Sequence, residues 1–151
     1  TWLKNPEPAT SKGRIYKNGI PEHTLTLRGG RYGLNSAGLI LDFAAAPSNG
    51  VVKLTGEGLS DGVQQGFELR AKNLIGLPAG APVKVGLSSV TGQITTSFSI
   101  LSGGKTLPVS GIGLLVPRLN QGLGHILLPQ GPLSTAPILS GRLLMEKQTG
   151  P

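Results

Sequence analysis

The sequence predicts an all-β fold, an antiparallel immunoglobulin-like β-sandwich with an extended N-terminal arm. Three observations lead there. Twenty-four glycines and twelve prolines punctuate 151 residues, and an interior Gly costs a helix about 1 kcal/mol and a Pro about 3. The longest stretch free of both, Gln93 to Ser102, is rich in Thr, Ser and Ile, and β-branched residues favour strands. The remaining segments alternate apolar and polar residues with a period of two, the mark of strands with one buried face. A length of 151 residues suits one core.

The arm spans residues 1–22, "TWLKNPEPATSKGRIYKNGIPE", and the sandwich 23–151. Three prolines and weak periodicity make the arm extended, with a tight turn expected at Asn18-Gly19. Trp2, Leu3, Ile15, Tyr16 and Ile20 are its apolar anchors. The net charge is +7, and Lys4, Lys12, Arg14, Lys17, Arg28 and Arg31 fall in the first 31 residues against Glu7 and Glu22. A basic arm of this kind suits an anionic partner or a neighbouring subunit.

The strands follow in order. "HTLTLRG" puts Leu25 and Leu27 on one face, and "GLILDFAA" does so for Leu39, Leu41 and Phe43, with Asp42 opposite. After the turn "PSNG" come Val52 and Leu54, then Phe67, Leu69 and Ala71 facing inward against Glu68, Arg70 and Lys72. Val83, Val85 and Leu87 form a hairpin with Ile94, Thr96, Phe98 and Ile100 around Thr91-Gly92. "SGGKT" turns into "LPVSGIGLLVPRL". Residues 119–136 are broken by Gly and Pro, leaving a short strand at His125–Leu128. Strand 138–146 closes the domain, with Leu139, Leu143 and Met145 on one face.

Chemistry is sparse. The seven carboxylates are scattered, and Glu57 and Asp61 flank a turn. His23 and His125 match no metal-ligand spacing, and there is no cysteine to help. "SGGKT" resembles a phosphate loop, but Ser99 stands where that motif needs Gly, and Pro108 follows too soon for a helix. Tyr16 beside Arg14 and Lys17, and Tyr32 beside Arg31, are the only candidate base-stacking pairs. The expectation is a protein that is no enzyme and takes no cofactor or metal. No apolar run is long enough for a membrane-spanning helix. Opening at Thr1 without Met or signal segment, the chain is expected to be a processed or trimmed form.

"LPAGAPVKVGLSS" with the Thr/Ser-rich strand after it, and the closing "PILSGRLLMEK", carry a family cadence. They resemble the strand-and-turn pattern of chaperone–usher pilus subunits, whose last strand reads apolar, small, Gly, then alternating Leu or Val. Leu139, Ser140, Gly141, Leu143 and Met145 follow that last-strand cadence, and the resemblance as a whole covers about a third of the chain. The resemblance implies an incomplete immunoglobulin-like fold completed by a neighbour's strand; that β-domains commonly assemble by adding a strand to an edge separately places the terminal strand at a sheet edge. It also implies partners that are copies or homologous subunits, an assembly chaperone, and a secreted or cell-surface place in an adhesive fibre. The alternative is a virion structural protein, a capsid, decoration or fibre-head domain, whose basic arm meets nucleic acid or the next subunit.

Overall fold

The computed structural model describes residues 2–8, 10–14, 16, 18–24, 32–33, 40–43, 48–59 and 61–148. Ile15, Leu25, Leu27 and Leu39 lie outside the described residues, as do the side chains of Trp2 and His23.

Ten strands are described: β1 (Trp2–Lys4), β2 (Ile20–His23), β3 (Gly50–Thr55), β4 (Val63–Arg70), β5 (Leu74–Gly76), β6 (Lys84–Leu87), β7 (Gln93–Ser102), β8 (Lys105–Val116), β9 (Gln121–Pro129) and β10 (Ile138–Lys147). The all-β, antiparallel expectation holds. β1 and β2 form a two-stranded ribbon, and the other eight form one sheet in the order β5-β4-β3-β10-β9-β8-β7-β6. From β3 to β10 each strand lies beside its successor, except that β5 and β6 approach without hydrogen bonding, and β10 returns to pair with β3. The two packed sheets expected are therefore one continuous, nearly closed, barrel-like sheet. Closure removes most of the exposed edge that an open sheet would carry.

The inward face follows the alternation. Val52 and Leu54 of β3, Phe67 of β4, Ile94 of β7, Ile126 and Leu128 of β9, and Leu143 and Met145 of β10 are all buried. Phe43 packs at a tilt on Phe67, centroids 6.2 Å apart. The segment 40–43 is not a strand. Ile40, Leu41 and Phe43 enter the core, and Asp42 is exposed. With no ladder beside it, the backbone is held by two asparagines: Ile40 N–H donates to Asn73 Oδ1 (2.8 Å), and Asp42 N–H to Asn120 Oδ1 (2.7 Å). Both sit at positive φ, 60° and 52°, a region Asn tolerates better than most residues.

Two local expectations change. β4 ends at Arg70, so Ala71 turns outward into a 3-10 turn at Ala71–Asn73. β9 runs for nine residues where only His125–Leu128 was expected. Its glycines do not break it, because a Cβ at Gly124 would strike the β8 backbone and one at Gly122 the core side chains of Ile94, Met145 and Leu115. The turns at Gly92 and at Gly103-Gly104 are where the sequence puts them, all three glycines at positive φ.

Thr96 faces this core, and its hydroxyl is buried without a hydrogen-bond partner. An unsatisfied buried hydroxyl is costly, so Thr96→Val is expected to stabilise the fold by about 1 kcal/mol. A melting temperature raised by about 2–4 °C would show it; a fall would contradict the assignment.

Candidate arm-docking site

The site is built on an imbalance in strand length. β10 has ten residues and pairs with β9 from Ile138 to Met145, but β3 covers only Arg142–Lys147. β3 leaves the sheet at Gly56, where a Cβ would lie 2.8 Å from the Gly141 Cα and where a turn begins, Leu59 N–H donating to Gly56 C=O (3.0 Å). The first four residues of β10 thus have an uncovered main chain on the β3 side.

The arm takes that place. Ile138 N–H donates to Arg14 C=O (2.8 Å), and Tyr16 N–H donates to Ile138 C=O (3.2 Å). Two residues on, Ser140 N–H donates to the Tyr16 phenol oxygen (3.2 Å), which also shares a hydrogen bond with Ser140 Oγ. Arg14 Nε donates to Ala136 C=O (2.8 Å). One arm segment therefore satisfies backbone that would otherwise be an open edge.

The arm is not extended throughout. β1 pairs with β2, placing Trp2 opposite His23 and Lys4 opposite Ile20, so it folds back on itself. Lys4 Nζ lies 2.5 Å from Glu7 Oε1 and 3.3 Å from Tyr16 C=O, and Ser11 Oγ also bonds Glu7. A turn does precede Ile20, but one residue earlier than the Asn18-Gly19 expected: Gly19 N–H donates to Tyr16 C=O (2.8 Å), so Gly19 closes the turn instead of sitting at its centre.

The named arm residues divide. Tyr16 makes the dock and Ile20 is buried, whereas Leu3 remains 55 % exposed. The terminal-strand residues need a correction. β10 is no edge strand: it lies between β3 and β9, with Leu143 and Met145 fully buried in the core and Leu139 half-buried. Its alternation reports a central position, which local sequence does not distinguish from an edge. Arg14 and Ser140 belong to the site and carried no signal of pairing, since their contacts run through backbone or across 122 and 124 residues.

Between arm and sheet lies a surface cleft of about 530 Å³, lined by Lys4, Arg14, Tyr16, His125, Leu127 and Ser140 among others. A second cleft, about 400 Å³, shares Arg14 and Leu127 and is walled by Pro108, Pro129 and Leu133. The described residues hold no group of three metal-ligating side chains. Tyr32 sits elsewhere, its phenol donating to Ser89 C=O (2.5 Å). Burial raises its pKa above the ordinary value, partly offset by the Gly92 backbone. The neutral phenol is the folded form, so its contribution to stability is full below about pH 10 and is lost as pH rises past that.

Tyr16→Phe removes the acceptor for Ser140 N–H and the partner of its hydroxyl. Arm docking is expected to weaken by about 1–2 kcal/mol, seen as roughly tenfold faster amide exchange at Tyr16 and Ser140. Unchanged exchange would contradict the dock.

No family model, curated protein or solved structure matches this chain.

Proposed function

We propose that this chain is a structural subunit of a secreted or cell-surface assembly of the pilus or fimbrial kind, joined to its neighbours by exchange of the N-terminal arm. The observation that carries the reading is the dock itself. Arg14 and Tyr16 bind Ile138 through main-chain hydrogen bonds, across a stretch of β10 that β3 does not cover. Such bonds are indifferent to which copy of the chain supplies the arm, the condition under which identical elements swap between protomers. Leu3, exposed on the docked arm, gives a neighbour further apolar surface. The immunoglobulin-like description belongs with this proposal: β5-β4-β3-β10 and β9-β8-β7-β6 are the two halves that such a sandwich would oppose. An assembly chaperone in this scheme would cover the same β10 overhang until a neighbour's arm replaces it.

Sedimentation and negative-stain microscopy of the chain with and without residues 1–22 test the proposal. Filaments or oligomers that need the arm are expected. A monomer in both forms at millimolar concentration would overturn it.

A further inference from the structure

We propose that the clefts beside the docked arm form a binding site for a small carboxylate with an apolar body. The proposal rests on the docked arm of the functional reading, whether that arm comes from the same chain or a neighbour.

The larger cleft, about 530 Å³, is within the usual range of ligand sites. Its charged lining is unbalanced. Lys4 and Arg14 face a single carboxylate, Glu7, which already binds Lys4 and Ser11, and the His125 ring lies beside them. Arg14 is anchored through Nε to Ala136 C=O, and its two Nη groups have no hydrogen-bond partner among the described residues. An anchored guanidinium with its fork unused is suited to a planar carboxylate. His125 is exposed on the outer face of β9, beside Arg142 on β10, and its ring makes no hydrogen bond to the described residues. Two donors, one on the arm and one on the sheet, thus line the same opening.

The second feature selects the body of the ligand. Arg14 and Leu127 line both clefts, so the smaller one adjoins the cationic end. Its walls include Pro108, Pro129, Leu133 and Ile138. A carboxylate at Arg14 with a short alkyl or aryl body would lie along them. Each methylene buried there adds about fourfold in affinity, whereas a bare oxyanion gains nothing from that surface.

The test is a nuclear magnetic resonance titration of the intact chain with sodium hexanoate, sodium acetate and inorganic phosphate, followed at the His125 ring and the Arg14 side chain. Hexanoate is expected to give saturable shifts and to bind at least about tenfold tighter than acetate or phosphate. Arg14→Gln is expected to weaken hexanoate about tenfold. His125→Gln, an exposed position off the arm, is expected to weaken it several-fold with the Tyr16 and Ser140 resonances unmoved. Absence of saturable binding, phosphate binding as tightly as hexanoate, or indifference to both substitutions would each overturn the proposal. Sedimentation on the same samples separates the two readings: arm-dependent assembly without hexanoate binding sinks the carboxylate site alone.

Discussion

Gly124→Ala is expected to destabilise the fold by about 3 kcal/mol or more, the upper range for overpacking. Gly124 pairs with Gly113 of β8 on one side and Leu143 of β10 on the other. A Cβ added there would fall 2.3 Å from Ile112 O and 2.5 Å from Gly113 Cα. Both obstacles are backbone, so no side-chain rotation relieves them. The reciprocal change at Gly113 would meet Leu123 O at 2.7 Å. Two glycines face to face thus let β8 and β9 approach closely where the sheet curls, a use of glycine common at barrel bends. A urea titration reads the effect as a fall in the midpoint with an unchanged slope. A loss below about 1 kcal/mol would mean that the strands can part there without cost.

Asn49→Ala is expected to cost roughly 3 kcal/mol, because it strips two buried backbone groups of their partners at once. β3 begins at Gly50, paired with Phe67, and Asn49 carries the ladder one step further by side chain. Its Oδ1 accepts from Leu69 N–H (2.7 Å), and its Nδ2 donates to Leu69 C=O (3.1 Å). Its own C=O accepts from Gln148 N–H (3.0 Å), tying the end of β10 to the same point. Alanine keeps that last bond and loses the other two. Asn49→Asp retains the acceptor but not the donor, and places a charge in a buried site, so it is expected to be no better tolerated. Thermal melts of both variants check this; a loss under about 1 kcal/mol for alanine would show that Leu69 finds other partners.

Much of the barrel was legible because burial imposes a period of two. β7 reads as Ile94, Thr96 and Phe98 inward against Thr95 and Ser97 outward, and β4 as Phe67 and Leu69 against Glu68 and Arg70. The hairpin turns were legible because positive φ selects glycine. What stayed hidden depends on the partner strand. Gly122 and Gly124 look like breakers until their neighbours are placed beside them, the core side chains Ile94 and Met145 at Gly122 and the backbone of β8 at Gly124. The alternation of β10 is the same for a central strand as for an edge. Asn49, Asn73 and Asn120 stand in for missing ladder partners, and Asn in a loop has no spelling for that role. The arm dock was the least visible part, since main-chain pairing of Arg14 and Tyr16 with Ile138 leaves no side-chain signature.

The measurement that tests arm exchange most directly uses the absence of cysteine, which allows labelling at single introduced sites. One population carries a donor dye at Thr10→Cys on the arm, and another an acceptor at Val90→Cys, an 83 % exposed position on the barrel. If arms exchange between copies, mixing the two intact chains gives energy transfer that grows with concentration and is slowed by excess unlabelled chain. If the arm serves only its own barrel, the mixture shows no transfer at any concentration, while a chain carrying both dyes shows the arm docked.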